Sequence, residues 1–171
     1  MQHKTNNNSS KPTAINALLF APQYRPNMSS MIRSAEFYGL DKIYIYDKNG
    51  LLDPPNNKTS RADMMHLARV WTAGAIEFID IVKIDNIVDF LTEYQGRKVA
   101  TLVDETAQHL NDFQFQKNDL IILGSEKEGL DLDVLPLIDE GIYIPALGQT
   151  PCLNVAVTFG IVVNKAVEQV G

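Results

Sequence analysis

Short apolar runs that alternate with segments of helical period are the feature that most limits the fold of this chain. Six runs have the length and composition of strands: "INALLFA", "KIYIY", "EFIDIV", "KVATLV", "DLIIL" and "GIYIP". Between them lie three segments that begin polar and end at a glycine, as helices do: "SSMIRSAEFYG", "SRADMMHLARVWTAG" and "NIVDFLTEYQG". This alternation predicts an α/β fold, with a mostly parallel six-stranded sheet and helices on both of its faces.

The length of the chain sets the number of domains. It has 171 residues, of which 45% are hydrophobic, enough for one substantial core and too few for two ordinary domains. Residues 1–12 contain an asparagine run and few apolar side chains, so we expect a disordered tail there. A single domain is expected over residues 13–171, with one long mobile loop, "DKNGLLDPPNNKTS", at residues 47–60.

The cysteine content and the hydropathy of the chain bear on its compartment. Cys152 is the only cysteine, so no internal disulfide can form and a reducing compartment fits the chain. No run of about 18 apolar residues occurs, and the amino-terminal segment lacks the apolar core of a signal peptide. We therefore expect a cytoplasmic protein that has no membrane partner.

The net charge of −6 argues against general affinity for nucleic acid, but the charge is unevenly distributed. Residues 1–76 carry nine Lys and Arg against five Asp and Glu, a balance of +4, whereas residues 77–171 carry six against sixteen, a balance of −10. The basic half could meet an anionic partner. The alternative is that these charges are simply scattered over a solvated surface.

The last predicted helix, in residues 152–170, is apolar on nearly all sides. It carries no charged residue between Cys152 and Lys165. A helix of this kind has to be buried on every side. We interpret it as packing against its own sheet and against a second subunit, which predicts a homodimer; the alternative is a central core helix of a monomer.

Three stretches place polar residues beside glycine or proline directly after an apolar strand. They are "RPNMSSMIRSAEFYGL", "GSEKEGLD" and "IPALGQTPCLNVAV", which follow the first, fifth and sixth predicted strands. In parallel α/β sheets, ligands bind at the carboxyl ends of the strands. The three stretches are therefore the candidate functional site.

Taken in this order, the three stretches resemble the signature motifs of the SPOUT superfamily, specifically the SpoU/TrmH branch of RNA ribose 2′-O-methyltransferases. The first motif is matched by Asn27, Arg33, Ser34, Ala35, Phe37 and Gly39. The second, G-x-E-x-x-G-L, is matched by Gly124, Glu126, Gly129 and Leu130, and the third by Ile144, Pro145, Gly148, Leu153, Asn154 and Val155. Each motif is weak alone, but three in order are specific.

The resemblance implies methyl transfer from S-adenosylmethionine to a ribose 2′-hydroxyl of tRNA or rRNA. The catalytic residues that it implies are Arg33, Asn27, Glu126 and Asn154. A guanidinium is a poor general base, so we assign Arg33 to clamping a phosphate and stabilising a developing alkoxide, with direct deprotonation by Arg33 as the rival role. Asn27 and Asn154 would fix Arg33 and the ribose, while Glu126 would accept hydrogen bonds from Arg33 or from loop amides.

The resemblance also implies where the cofactor and the RNA bind, and a deep trefoil knot in the carboxyl-terminal third. The cofactor would lie against backbone at five positions: Leu102, Val103, Gly124, Ile144 and Leu153. Basic residues of the first half are candidates for RNA binding: Arg25, Lys58, Arg61 and Arg69. The expected partners are thus RNA and a second copy of the chain, and no metal is needed.

Two positions depart from the pattern of the family. Cys152 and Ala156 stand where the family commonly has serine, and a thiol is a poorer hydrogen-bond partner than a hydroxyl. These changes define an alternative function, a catalytically impaired SPOUT-like module that still binds RNA or cofactor.

Three further interpretations come from the residues alone. Cys152 at a helix start could be a nucleophile, with His66 or His109 as its partner. Asp131 and Asp133 could bind a metal, although Asp131 also suits the cap of a helix over "LDVLPLI". A flavodoxin-like nucleotide-binding domain would need a glycine in the loop "APQYRPNM" after the first strand, and this loop has none.

Overall fold

The computed structural model describes residues 13–53, 65–66, 68–104 and 107–171. The strands are β1 (Asn16–Phe20), β2 (Lys42–Tyr46), β3 (Asp80–Ile84), β4 (Lys98–Thr101), β5 (Gln108–His109), β6 (Leu120–Leu123) and β7 (Glu140–Tyr143). The helices are α1 (Arg25–Phe37), α2 (Ile87–Glu93) and α3 (Val155–Val170), with short 3-10 helices at Ala75–Glu77 and Leu135–Leu137. Helical residues also occur at 65–66 and 68–71.

The seven strands form one sheet in the order β3-β2-β1-β6-β4-β7-β5, and every pairing between them is parallel. The four residues of β6 are all buried, as is expected for a strand at the centre of a sheet that is covered on both faces. The prediction of a parallel α/β sheet with helices on both faces is therefore confirmed.

Two apolar cores lie on opposite faces of the sheet. On one face, α1 and α3 pack together, and Met31 of α1 and Phe159 of α3 join the same buried cluster. On the other face, Leu91 of α2 and Val134 are buried against β1 and β6. Burying each large apolar side chain contributes roughly 1.5 to 3 kcal/mol, so these two cores hold the strand ends in fixed positions.

The prediction of six strands was wrong by one, because β5 was not recognised. This strand consists only of Gln108 and His109 and pairs with β7 at the edge of the sheet. Two polar residues have no apolar periodicity that could reveal a strand. A short edge strand is held by its backbone pairing, which leaves little trace in the sequence.

Two helix predictions also need correction. The stretch "LDVLPLI" forms only the 3-10 turn Leu135–Leu137, whose amino-terminal cap is Val134 and has no side-chain hydrogen bond. The carboxylate of Asp131 does not cap this turn; it accepts a hydrogen bond of 2.9 Å from the ammonium of Lys48. The pKa of Lys48 is raised by this hydrogen bond and by the charge of Asp131.

Helix α3 is not buried on every side in the single chain. Phe159 and Val163 are fully buried, but Val157 is 51% exposed and Ile161 is 41% exposed. These two side chains are one helical turn apart and therefore share a face of the helix. In the described part of the chain, no helix is long and apolar enough to cross a membrane.

The expected tail at residues 1–12 and the second half of the expected loop, residues 54–60, lie outside the described residues. Asp47, at the start of that loop, is described and nearly buried, and its carboxylate accepts hydrogen bonds from the backbone N–H groups of Leu51 and Leu52 at 2.8 and 2.7 Å. The first turn of the loop is therefore held by a side chain.

Candidate functional site

The carboxylate of Glu126 holds the loop after β1 and the turn after β6 together. Its Oε2 accepts a hydrogen bond of 2.8 Å from the backbone N–H of Gln23, and its Oε1 accepts one of 3.3 Å from that of Tyr24. The side-chain amide of Asn27 donates a third hydrogen bond, of 3.0 Å, to the same Oε1. The sequence predicted loop amides or Arg33 as donors to this carboxylate, and the loop amides are the donors here.

Asn154 links this cluster to the start of α3. Its side-chain amide donates to Oδ1 of Asn27 at 3.1 Å. Its own Oδ1 accepts from the backbone N–H groups of Ala156 and Val157 at 2.9 and 3.4 Å, so Asn154 caps the helix. Asn27, Glu126 and Asn154 therefore form one continuous hydrogen-bonded chain, with its side chains oriented before any substrate arrives.

The turn "GSEKEGL" has a backbone that only glycine suits at two positions. Ser125 and Gly129 pair through two backbone hydrogen bonds of 2.9 and 3.2 Å, and Gly129 has a φ of +69°. A Cβ on Gly124 would lie 2.7 Å from the backbone carbon of Gly129, closer than real contacts allow. The hydroxyl of Ser125 accepts a hydrogen bond of 3.3 Å from the backbone N–H of Glu128. This tight turn directs Glu126 towards α1 and leaves its backbone beside a pocket.

A pocket of about 910 Å³ opens at the carboxyl ends of the central strands. All five positions expected to bind a cofactor line it, namely Leu102, Val103, Gly124, Ile144 and Leu153. Asn27, Glu126 and Asn154 line it too. The structure thus brings eight of the nine predicted catalytic and cofactor-binding residues to one cavity, although they come from three separate loops and the first turn of α1.

Arg33 is the predicted catalytic residue that does not join them. It is exposed on α1, does not line the pocket, and makes no hydrogen bond or ion pair with any residue that the structure describes. The expectation that Asn27 and Asn154 fix Arg33 does not hold within one chain, because Arg33 makes no hydrogen bond with either side chain; the two amides bond to each other, to Glu126 and to the helix start.

Of the four residues predicted to bind RNA, the structure describes Arg25 and Arg69, and neither of them lines the pocket. Nε of Arg25 donates to the carbonyl of Leu51 at 3.2 Å, and Arg69 pairs with Glu77 at 2.9 Å on the surface. Lys58 and Arg61 lie outside the described residues. Arg25 and Arg69 are therefore engaged by the protein, although both stay accessible enough to exchange partners.

Sequence reasoning missed two side chains at the pocket, Tyr24 and Lys127. Both line the cavity, and the ammonium of Lys127 lies 5.9 Å from the centre of the ring of Tyr24. Tyr24 sits directly before α1, and Lys127 is inside the second motif. Their nearness to Asn27 and Glu126 in sequence was the available signal, since neighbours of a site residue tend to share its loop.

The geometry gives little support to a cysteine nucleophile or to a metal site. Cys152 lines the pocket and is exposed, but His109 does not line it: its ring packs edge-on against Tyr143, and its Nδ1 accepts a hydrogen bond from the backbone of Asn111. Within the described ranges, no group of three or more His, Cys, Asp or Glu side chains is placed to hold a metal ion.

Comparison with known proteins agrees with this geometry. Residues 14–164 match the model of the SpoU rRNA methylase family. The chain is 26% identical over 146 residues to a tRNA (guanosine(18)-2′-O)-methyltransferase of Aquifex aeolicus, covering 84% of this chain and 64% of that protein. It is 30% identical over 148 residues to a 23S rRNA (guanosine(2553)-2′-O)-methyltransferase of Bacillus subtilis, covering 85% and 55%.

A solved structure shows the same fold. The SpoU methyltransferase AviRb of Streptomyces viridochromogenes, in complex with the cofactor AdoMet, superposes with a TM-score of 0.71 at 20% identity, covering 94% of this chain and 62% of that one. The chain spans between 49% and 64% of the length of three curated relatives. Since the family model covers most of the chain and the three motifs meet in one pocket, the chain belongs to the SpoU rRNA methylase family.

Proposed function

We propose that this domain transfers a methyl group from S-adenosylmethionine to a ribose 2′-hydroxyl of tRNA or rRNA. The observation that carries the proposal is the hydrogen-bonded chain of Glu126, Asn27 and Asn154 at the wall of the pocket. A packed core has no need of three polar side chains at that place, whereas a ribose offers hydroxyls that amides and carboxylates can bind. The relatives carry names for the same reaction on tRNA and on 23S rRNA.

The pocket suits a cofactor that is recognised by backbone. Its volume of about 910 Å³ lies within the usual size of ligand sites. Gly124, Ile144 and Leu153, with Leu102 and Val103, would hold the cofactor against main-chain groups, and the glycine at 124 lets the backbone of Gly129 pack close to it in the turn beside the pocket. When bound, S-adenosylmethionine supplies an activated sulfonium methyl.

The residues of the chain would then position the nucleophile. Asn27 and Asn154 are placed to bind the ribose, because their amides lie at the pocket wall and are held by Glu126 and by the start of α3. Alignment of the reacting oxygen is the main task, since the methyl group is already activated. Arg33 does not line the pocket of its own chain, so its exposed guanidinium would clamp a phosphate and stabilise the developing alkoxide at the pocket of the second copy in the dimer proposed below.

The alternative function is a catalytically impaired module that binds RNA or cofactor. Cys152 and Ala156, in place of the serines common in the family, are the features that favour it. Asn154, which lies between these two positions in the sequence, still caps α3. Its side-chain amide therefore keeps its orientation. For this reason we favour the active enzyme.

We further propose that two copies associate through α3 and that the carboxyl-terminal third is a deep trefoil knot. Val157 and Ile161 form an apolar face on α3, and burial of such a face drives association in water. The knot is implied by the family resemblance and fits the meeting of the loops after β4, β6 and β7 at one pocket. A cytoplasmic location suits an enzyme that acts on tRNA or rRNA.

Calorimetric titration with S-adenosylmethionine and with S-adenosylhomocysteine tests the cofactor part of the proposal. We expect binding of both, with one site per subunit. Absence of binding to either, also when RNA is present, would contradict it. The variant Gly124→Ala is titrated in the same way. Its added Cβ must push against the backbone of Gly129, which should distort the turn beside the pocket and weaken binding.

A further inference from the structure

The pocket has two aromatic side chains among the described residues that line it, and they are in different states. Tyr143 lies at the end of β7, is partly buried, and packs edge-on against His109 with 5.5 Å between the ring centres. Tyr24 is 45% exposed and lies directly before α1. Of the two, Tyr24 is therefore the ring that is more open to a molecule that enters from solvent.

Tyr24 is joined to the candidate catalytic residues through its backbone. Its N–H donates to Oε1 of Glu126 at 3.3 Å, and the same oxygen accepts the hydrogen bond from Asn27. The backbone position of Tyr24 is therefore fixed relative to the amides that would bind the ribose. The side chain therefore starts from a fixed point at the pocket wall, and its ring, 45% exposed, is open to packing by a planar group.

Lys127 is the one lysine or arginine among the described residues that line the pocket; the acidic residues that line it are Asp104, Glu126 and Glu128. Its ammonium lies 5.9 Å from the centre of the Tyr24 ring, at the outer limit of a cation–π contact. For a phosphate that approaches this acidic pocket, the ammonium of Lys127 is the nearby positive charge, and it lies beside the exposed ring.

We propose that Tyr24 is the stacking platform for the nucleobase of the target nucleotide, and that Lys127 contacts the adjoining phosphate. This inference rests on the proposed function. A target nucleotide in a single-stranded loop has its base splayed out of the stack, which loses stacking free energy. An aromatic ring restores that energy for any base, because every base has a π face. The platform would thus make the enzyme tolerant of base identity at this contact.

The test compares variants on one RNA preparation: total RNA from cells of the source organism in which the gene is deleted, with labelled S-adenosylmethionine. For Tyr24→Ala we expect the apparent KM for RNA to rise about 5- to 100-fold, with kcat much less affected. Tyr24→Phe keeps the ring and should stay within about twofold of wild type. Tyr24→Leu keeps apolar bulk without a π face and should behave like Tyr24→Ala.

Binding of S-adenosylmethionine, measured by calorimetry for each variant, separates stacking from damage to the pocket. We expect it to be unchanged. Lys127→Met should lower the slope of log KM against log salt concentration by about 0.7 to 1, as loss of one phosphate contact does. If wild type transfers no methyl group to RNA, the proposed function fails and this inference with it. If wild type is active and Tyr24→Ala has an unchanged KM, or binds the cofactor more weakly, the inference alone is overturned.

Discussion

Glu126 and Asn27 are joined by a hydrogen bond of 3.0 Å that spans 99 residues of the chain. It connects the turn after β6 to the first turn of α1, and Glu126 also accepts the backbone N–H groups of Gln23 and Tyr24. One carboxylate thus fixes the entry to α1 and the catalytic amide together.

Removing this carboxylate should cost both stability and activity. In Glu126→Ala, three donors lose their acceptor, so we expect the free energy of unfolding to fall by about 1 to 3 kcal/mol. Displacement of Asn27 should lower methyl transfer by about 100-fold or more. Urea denaturation and initial rates measure the two effects. Glu126→Gln, which retains one acceptor oxygen, should lie between Glu126→Ala and wild type; equal stability of all three proteins would contradict this role.

Arg33 should matter to catalysis and not to the fold. Because its side chain is exposed and has no partner among the described residues, Arg33→Ala should change the free energy of unfolding by less than about 0.5 kcal/mol. Loss of charge stabilisation should lower kcat by about 100- to 1,000-fold and leave cofactor affinity unchanged. The exposed Lys117, which does not line the pocket, gives the control variant Lys117→Ala. A weaker affinity for S-adenosylmethionine in Arg33→Ala would rule out the assigned role.

The single cysteine gives a chemical test of the pocket. Cys152 is exposed and lines the cavity, so alkylation with iodoacetamide adds bulk inside it. We expect modified wild type to bind S-adenosylmethionine at least about tenfold more weakly, since packed sites tolerate added atoms poorly. Cys152→Ser, treated in the same way, should bind normally and serves as the control. Full binding by the alkylated protein would place the cofactor elsewhere.

Loss of Asp119 should destabilise the fold more than loss of the exposed ion-pair residue Asp53. Asp119 is fully buried, and its carboxylate accepts from Nε and Nη2 of Arg97 at 3.0 and 2.7 Å and from the backbone N–H of Gln116 at 2.8 Å. Breaking a buried pair costs about 3 to 5 kcal/mol, and the partial exposure of Arg97 puts Asp119→Ala at the lower end. Asp53→Ala breaks the exposed pair with Lys83 and should cost less than about 1 kcal/mol. Similar losses in urea denaturation would contradict this ranking.

The apolar face of α3 predicts the effect of a charge on assembly. Ile161→Asp places a carboxylate on that face and should convert the proposed dimer to a monomer in sedimentation velocity experiments, because an unpaired buried charge is strongly unfavourable. Phe78→Asp makes the same kind of change at a side chain that is 76% exposed outside α3, and should stay dimeric. A monomeric wild type, or a dimeric Ile161→Asp, would exclude this interface.

The central sheet could be predicted from the sequence because its strands are apolar on both faces. Runs such as "DLIIL" are distinctive, and β6 is buried at all four positions. The two-residue strand β5 and the 3-10 turn Leu135–Leu137 could not, because neither has a periodic apolar pattern. At these places tertiary contacts decide the local structure.

Those residues of the candidate site that belong to a short sequence motif could be predicted. Asn27, Glu126 and Asn154 were identified from the resemblance, and the structure adds their mutual hydrogen bonds, which depend on the folding of distant loops onto each other. Tyr24 and Lys127 were missed, because an exposed tyrosine and an exposed lysine have no distinctive pattern until the pocket is formed. The place of Arg33 outside the pocket was likewise not readable from its spacing to Asn27.

Methyl transfer to the ribose of RNA is tested by mass spectrometry of nucleosides. RNA from cells that lack the gene is incubated with the protein and S-adenosylmethionine carrying a trideuterated methyl group, then digested to nucleosides. We expect label on the ribose of a 2′-O-methylnucleoside with wild type, and a strong loss of that label with Arg33→Ala. Label on a base, or no label on any nucleoside while the cofactor binds, would contradict the proposed function.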